Sequence, residues 1–416
     1  MNLILSCKQL RIKDFVSRIG SGVTPKGGAE VYVDKGTPFL RSQNVHDGEV
    51  RLEEVSFIDE ETNDKMKGSQ IRPGDVLFNL TGASIARAAL VPESLKTANI
   101  SQHIAFLRTK RINKKFLEYQ LRSHSTKDYV MMTQVGASKE AFNHSQVLTL
   151  PIRVPSTESQ TQIAEYLDRK TEAIDKKIEL LRKKADLYKE LRKSLINETV
   201  CRGLDKNAPM KDSGIDWIGE IPEHWEVRRG KDVFKEVSRK GLPDEPLLAA
   251  SQKQGVVLKS MLLQKSMTAQ KDFHAFKLVE VGDFVISLRS FEGGFEYAYY
   301  QGIISPVYTV FRVTPGLHNG YYRHLFKTEL FIGYLQSRIT GIRDGQSIKF
   351  TEVQNSFFPI PPEQEQQEIA EHLDKKCSII DQIIENISNQ IDTLTELRKT
   401  LINDVVTGKI NVRELT

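Results

Sequence analysis

A chain of 416 residues is long enough for two or three domains with buried cores. Its 39% hydrophobic and 27% charged content describes a soluble globular protein, and no apolar run nears the roughly 18 residues that a membrane helix needs. The net charge of +5 is too small to name a partner, and the scattered Cys7, Cys201 and Cys377 suggest neither a disulfide framework nor a zinc cluster. The opening MNLILSC lacks the basic start and cleavage pattern of a signal peptide, so the expected location is the cytoplasm.

Residues 1–150 read as a first globular unit. LRIKDFVSRIGSGVTPKGG runs from a helical turn into a Gly/Pro-rich loop, and GTPFLRSQNVHDGEVRL reads as strand, loop, strand. IRPGDVLFNLTG is a turn feeding a strand that ends at Asn79 and Thr81, and NISQHIAFLR is a further strand. Residues 113–133 have a helical pattern.

Residues 151–206 hold the first of two long helices, and 358–416 hold the second. The windows 163–200 and 369–406, at a constant offset of 206, share 19 identities over 38 residues. Both are free of Gly and Pro. Apolar or small residues advance in steps of four and three: Leu167, Thr171, Ile174, Ile178, Leu181, Ala185, Tyr188 and Leu195 in the first. The second gives Leu373, Cys377, Ile380, Ile384, Ile387, Ile391, Leu394 and Leu401. A seven-residue repeat held this long predicts a coiled-coil seam, roughly 57 Å in length. Residues 158–206 carry 12 basic and 10 acidic side chains against 4 and 10 in 363–404, which favours pairing of the two helices with each other. The remainder of the chain keeps a basic surplus of nine, suited to a polyanion but weak evidence alone.

Residues 207–357 repeat the first unit loosely. GKDVFKEVSRKG matches IKDFVSRIGSG, LVEVGDFVISLRS matches GSQIRPGDVLFNLTG, and IISPVYTVFR matches ISQHIAFLR. The frame recurs while the polar loop residues differ, as expected of two modules that hold one pose and read different targets. The expected fold is therefore α+β: two similar mixed α/β domains separated by two long antiparallel helices in an intramolecular, pseudo-twofold coiled coil.

The alternation of globular unit and long helix, the segment DSGIDWIGEIPEHWEVRRGKDVF at 212–234, and the lead-ins LPIRVPSTESQTQIAEYLD and FPIPPEQEQQEIAEHLD resemble the DNA specificity subunit of type I restriction–modification enzymes. The likeness spans essentially the whole chain, although the N-terminal half lacks its own IPEHW stretch. It implies that 1–150 and 207–357 are target recognition domains, each reading one half of a split duplex DNA site. It also implies that the helices set the gap and dock two modification (methyltransferase) subunits. S-adenosylmethionine would belong to those subunits, ATP and magnesium to a separate restriction subunit, and this chain would bind no cofactor and no metal and catalyse nothing. The residues agree: no Asn/Asp-Pro-Pro-aromatic motif, phosphate loop or HExxH is present.

Major-groove reading favours Arg, Asn and Gln, with Ser and Thr adaptable, on loops at strand ends. In the first unit Thr24, Arg41, Gln43, Asn44, Asn79, Thr81, Arg87 and Gln102 meet that description. In the second, Gln252, Lys253, Arg289, Ser290, Tyr297, Tyr299, Arg343 and Gln346 do. Two other readings stand beside this one. A coiled-coil assembly protein whose globular units bind proteins predicts negligible affinity for duplex DNA. A self-sufficient nuclease or methyltransferase predicts activity of the purified chain alone.

Overall fold

The computed structural model describes residues 9–134, 141–262, 273–338 and 348–412. The chain divides into two compact units, residues 1–182 with 389–416, and residues 183–388. Each unit thus takes one globular domain together with a segment of both long helices.

Four helices organise the units: α1 (Lys114–Arg122), α2 (Thr157–Arg202), α3 (Asn319–Leu325) and α4 (Glu363–Val406). The Ser156 hydroxyl caps the start of α2, accepting from Ser159 N at 3.3 Å. Gly203 and Gly408, at φ of 73° and 79°, follow the ends of α2 and α4, where a left-handed residue lets the chain leave a helix.

In the first unit the central sheet contains β1 (Val16–Ser21), β2 (Val76–Asn79), β3 (Ala88–Leu90) and β4 (Ile104–Thr109), in the order β3-β2-β4-β1 and antiparallel throughout. One face packs Phe78, Ala88, Ala105 and Leu107 against Phe116, Leu117 and Leu121 of α1. The other face adds Leu77, Ala89, Ile104 and Phe106 to a second core with Leu40 and Ile100. The two central strands, β2 and β4, are therefore buried on both sides, which explains the continuous VLFN and IAFL runs.

The second unit repeats that sheet with β5 (Phe234–Val237), β6 (Phe284–Ile286), β7 (Glu296–Tyr297) and β8 (Thr309–Val313), in the order β7-β6-β8-β5. Its core is aromatic: Phe234 meets Phe358 edge-on at 4.9 Å, and Phe284 meets Phe326 at 5.0 Å.

The same polar support holds both sheets. In PGD and VGD, Gly74 and Gly282 turn with φ of 84° and 94°, and the following aspartate accepts a backbone N–H three residues back, Asp75 from Arg72 and Asp283 from Glu280. An arginine on the neighbouring strand completes the support: Arg108 bonds Asp75 through two nitrogens at 2.9 and 2.8 Å, and Arg312 bonds Asp283 at 3.0 Å. Each globular domain also closes on itself just before its helix, Gln9–Arg11 pairing with Pro151–Arg153 and Glu226–Arg229 with Phe357–Ile360.

Within each unit the long-helix segments run antiparallel. In the first, Ile163 and Leu167 of α2 share a core with Ile402, Val405 and Val406 of α4. In the second, Ile196, Val200 and Cys201 share one with Ile369, Leu373 and Cys377. The expected seam residues Leu167, Ile174, Ile178, Leu181, Tyr188, Leu195, Leu373, Ile380, Ile384, Ile387, Leu394 and Leu401 are all buried or half-buried, while their neighbours are mostly exposed. The fold is the expected α+β architecture with two long helices.

Two lead-in glutamines fasten the globular domains. Gln160 is 2% exposed, accepts the backbone N–H of Asn113 at 2.8 Å and donates to Pro155 O at 2.9 Å. Gln366, 206 residues on, accepts from His318 N and donates to Pro361 O, both at 2.8 Å. Asn113 and His318 are the N-caps of α1 and α3, so one amide joins the start of each domain helix to the start of each long helix.

Candidate nucleic-acid interface

In the first unit, four loops are sewn together at one edge of the sheet. Val23 N donates to Ile100 O at 3.2 Å, Ser101 N to Leu40 O at 2.9 Å and Leu80 N to His103 O at 2.9 Å. These bonds place the loops bearing Thr24, Arg41–Gln43, Thr81–Arg87 and Gln102 side by side. Thr24, Gln43 and Gln102 are exposed there, and Arg41, Thr81 and Arg87 are half-buried. The Thr81 hydroxyl lies 2.9 Å from His103 Nδ1, and Gln102 lies on the other side of the same ring. His103 joins this edge as well, and its place beside Gln102 just before a strand is the sequence signal for it.

Two residues expected at this edge serve the frame instead. Asn79 is 0% exposed and donates to Ser42 O at 2.9 Å and Ser84 Oγ at 3.1 Å, stitching two loops together. Asn44 is 2% exposed, accepts from Arg41 N and donates to Arg51 O. Asn44 uses both ends of its amide inside the protein, and Asn79 uses its nitrogen there while its Oδ1 is buried without a protein partner among the described residues. They support the edge rather than face a ligand.

The second unit gathers a different set. Gln252 and Lys253 form an exposed turn, and Gln252 donates to Arg289 O and Glu292 Oε2, both at 3.3 Å. Tyr299 N donates to Val256 O at 3.2 Å, and the Tyr297 and Tyr299 rings meet edge-on at 5.0 Å. Gly255 has φ of 76°, and a Cβ there would lie 2.6 Å from Tyr297 O, so only glycine lets the turn sit against this strand. Gln252, Lys253, Arg289, Tyr297 and Tyr299 are thus brought together. Ser290 is a correction: it is 1% exposed, and its hydroxyl accepts Ser287 N at 2.8 Å. Arg343 and Gln346 lie outside the described residues.

Below each domain lies a cleft floored by the helices. The first, about 790 Å³, is lined by Lys115, Tyr119 and Arg122 above and by Asp168, Asp175 and Arg398 below. The second, about 930 Å³, has Arg323, His324 and Tyr297 above and Asp374, Asp381 and Arg192 below. The floor residues correspond at the offset of 206. In the first, the Tyr119 hydroxyl donates to Asp168 at 2.7 Å; in the second, His324 and Arg323 both bond Asp374. Burial alone would raise the Asp374 carboxyl, but hydrogen bonds from His324 and Arg323 bring it below its ordinary value. Desolvation in turn lowers His324 despite that carboxylate. Repeated carboxylates make both floors unsuited to a phosphate backbone, whereas the exposed Thr and Gln side chains of the first loop edge suit one; in the second unit Gln252, Lys253, Tyr297 and Tyr299 line the cleft itself.

The family model for the type I restriction modification DNA specificity domain matches residues 7–184 and 222–393, one match over each half. The chain belongs to that family. A specificity-domain relative, the putative type I restriction enzyme MjaX specificity subunit of Methanocaldococcus jannaschii, is 23% identical over 97% of this chain and 93% of its own length. The type I restriction enzyme EcoBI specificity subunit of Escherichia coli is 25% identical over 33% of this chain and 29% of its own. Among solved structures, one concerned with complex assembly and conformational transition of the type I R-M system superposes with a TM-score of 0.70, at 18% identity, over 97% of this chain and 98% of that one. The HsdS subunit from Thermoanaerobacter tengcongensis gives 0.55 at 18% identity, over 97% of each chain. In this specificity-domain chain each family match contains one complete four-stranded sheet, its loop edge and its Gln clamp.

Proposed function

We infer that this chain is the sequence-reading subunit of a type I restriction–modification system. Each globular domain reads one half of a bipartite duplex site, through Thr24, Arg41, Gln43, Thr81, Arg87, Gln102 and His103 in one and Gln252, Lys253, Arg289, Tyr297 and Tyr299 in the other. The helix pair sets the unspecified gap and docks two modification subunits, which hold S-adenosylmethionine and methylate the DNA. ATP and magnesium act in a restriction subunit, and no catalytic group is assigned to this chain. The work takes place in the cytoplasm, beside the DNA.

One observation carries this reading: two sheets of identical strand order, each with an Asp–Arg support at the equivalent turn, present different polar side chains. Repeated support with divergent contact chemistry is what two readers of different half-sites require. Exchanging residues 1–150 for those of another family member tests it. The expected result is a methylated motif changed in one half only; a motif changed in both halves, or in neither, contradicts the assignment.

A further inference from the structure

We propose that Arg192 and Arg398 fix the register of the helix pair and so act as specificity-determining positioning residues for the gap. This rests on the gap-setting role given to the helices above. Between Tyr188 and Leu195 the four-and-three step falls on Arg192, and between Leu394 and Leu401 it falls on Arg398. These are charged interruptions in seams otherwise apolar or small. Both arginines are half-buried, and each reaches across to the other helix within its own unit. Arg192 Nε lies 2.9 Å from Asp381 Oδ1, and Arg398 Nε lies 2.9 Å from Asp175 Oδ1.

Over the middle heptads, away from the ends held in the domain cores, an apolar seven-residue repeat is satisfied nearly as well by a slip of seven residues, so that stretch of seam alone leaves neighbouring registers close in energy. A charged seam residue separates them, at some cost in stability. Sliding one heptad in one direction sets Arg398 against Arg182 and Arg192 against Ser388. Sliding the other way brings the arginines to Asp168 and Asp374, which the globular domains already hold through Tyr119, Arg323 and His324. The observed register is the one of the three in which both arginines and these four aspartates are all partnered. Asp168 and Asp175, one heptad apart, therefore form two rungs: the first fastens the domain and the second fastens the opposite helix. Asp374 and Asp381 repeat them.

A heptad slip displaces the helices by about 10.5 Å at 1.5 Å per residue, or about three base pairs at 3.4 Å per step. The test uses the full chain with its modification subunits, read by mapping methylated adenines. The wild type is expected to show one gap length. Arg192→Leu/Arg398→Leu, which makes the seam apolar, is expected to melt no lower than the wild type yet to methylate sites with at least two gaps differing by about three base pairs. Swapping both pairs (Arg192→Asp, Asp381→Arg, Arg398→Asp, Asp175→Arg) should restore a single gap. A folded leucine variant that keeps the one wild-type gap overturns the proposal. Should that variant not fold, the charge swap decides: one wild-type gap supports the lock, and several gaps overturn it. A wild-type chain that methylates a continuous motif removes the gap-setting reading itself, an outcome distinct from failure of the lock.

Discussion

The Gln160 side-chain carbonyl accepts the Asn113 backbone N–H at 2.8 Å, and this bond joins a long helix to the first turn of a domain helix. Replacing Gln160 with Ala leaves that N–H and the Pro155 carbonyl unpaired in a buried site, and we expect a loss of about 2–3 kcal/mol. Gln160→Glu should also destabilise, since it removes the donor to Pro155. Hydrogen exchange at the Asn113 amide and urea unfolding check both, and Gln366→Ala should act in the same way at His318.

Asp75 is 1% exposed and is bonded through both oxygens by Arg108. Removing Asp75 takes two charge-assisted hydrogen bonds from the part-exposed Arg108, so Asp75→Ala should cost about 1.5–3 kcal/mol. Asp283→Ala should cost less, because Arg312 keeps Glu280 at 2.9 Å and is more exposed than Arg108. Denaturant midpoints of the two variants give the comparison.

His324 supplies the pH dependence of the second unit. Desolvation holds its folded pKa below the ordinary 6.5, so the unfolded chain binds the proton more readily. Stability from this residue is complete above about pH 6.5 and is lost as pH falls below it. Melting from pH 7.5 to 5.5 should show acid weakening that His324→Gln reduces. An unchanged pH slope in that variant would contradict this assignment.

Gly255→Ala tests the proposed reading surface of the second domain. The added methyl meets Tyr297 O at 2.6 Å in a backbone conformation that suits glycine, so the Gln252–Lys253 turn must move. Methylation should lose discrimination in the half-site read by residues 207–357 and keep it in the other. Loss in both halves would show that the turn acts through overall stability.

Much of this frame is legible in the sequence. The 206-residue repeat placed both long helices, and the four-and-three step marked a seam whose residues are all at least half-buried. The paired PGD and VGD turns marked equivalent strands. The burial of Asn44, Asn79 and Ser290 was not legible, because a side chain that stitches loops has the same chemistry as one that reads bases, and only three-dimensional packing separates the two uses. Gln160 and Gln366 stood in plain view as lead-in residues, but their partners Asn113 and His318 lie about fifty residues away in sequence. Arg192 and Arg398 show in the sequence as the charged steps of an otherwise apolar or small heptad pattern, but their aspartate partners on the other helix do not.

The central claim is that two equivalent domains read the two halves of one split DNA site. Mapping methylated adenines across the genome of a host that carries this chain with its modification subunits tests it most directly. The account predicts a single bipartite motif, with two specified halves separated by a gap of constant length and unrestricted sequence. A single continuous motif, or no methylation dependent on this chain, would contradict it.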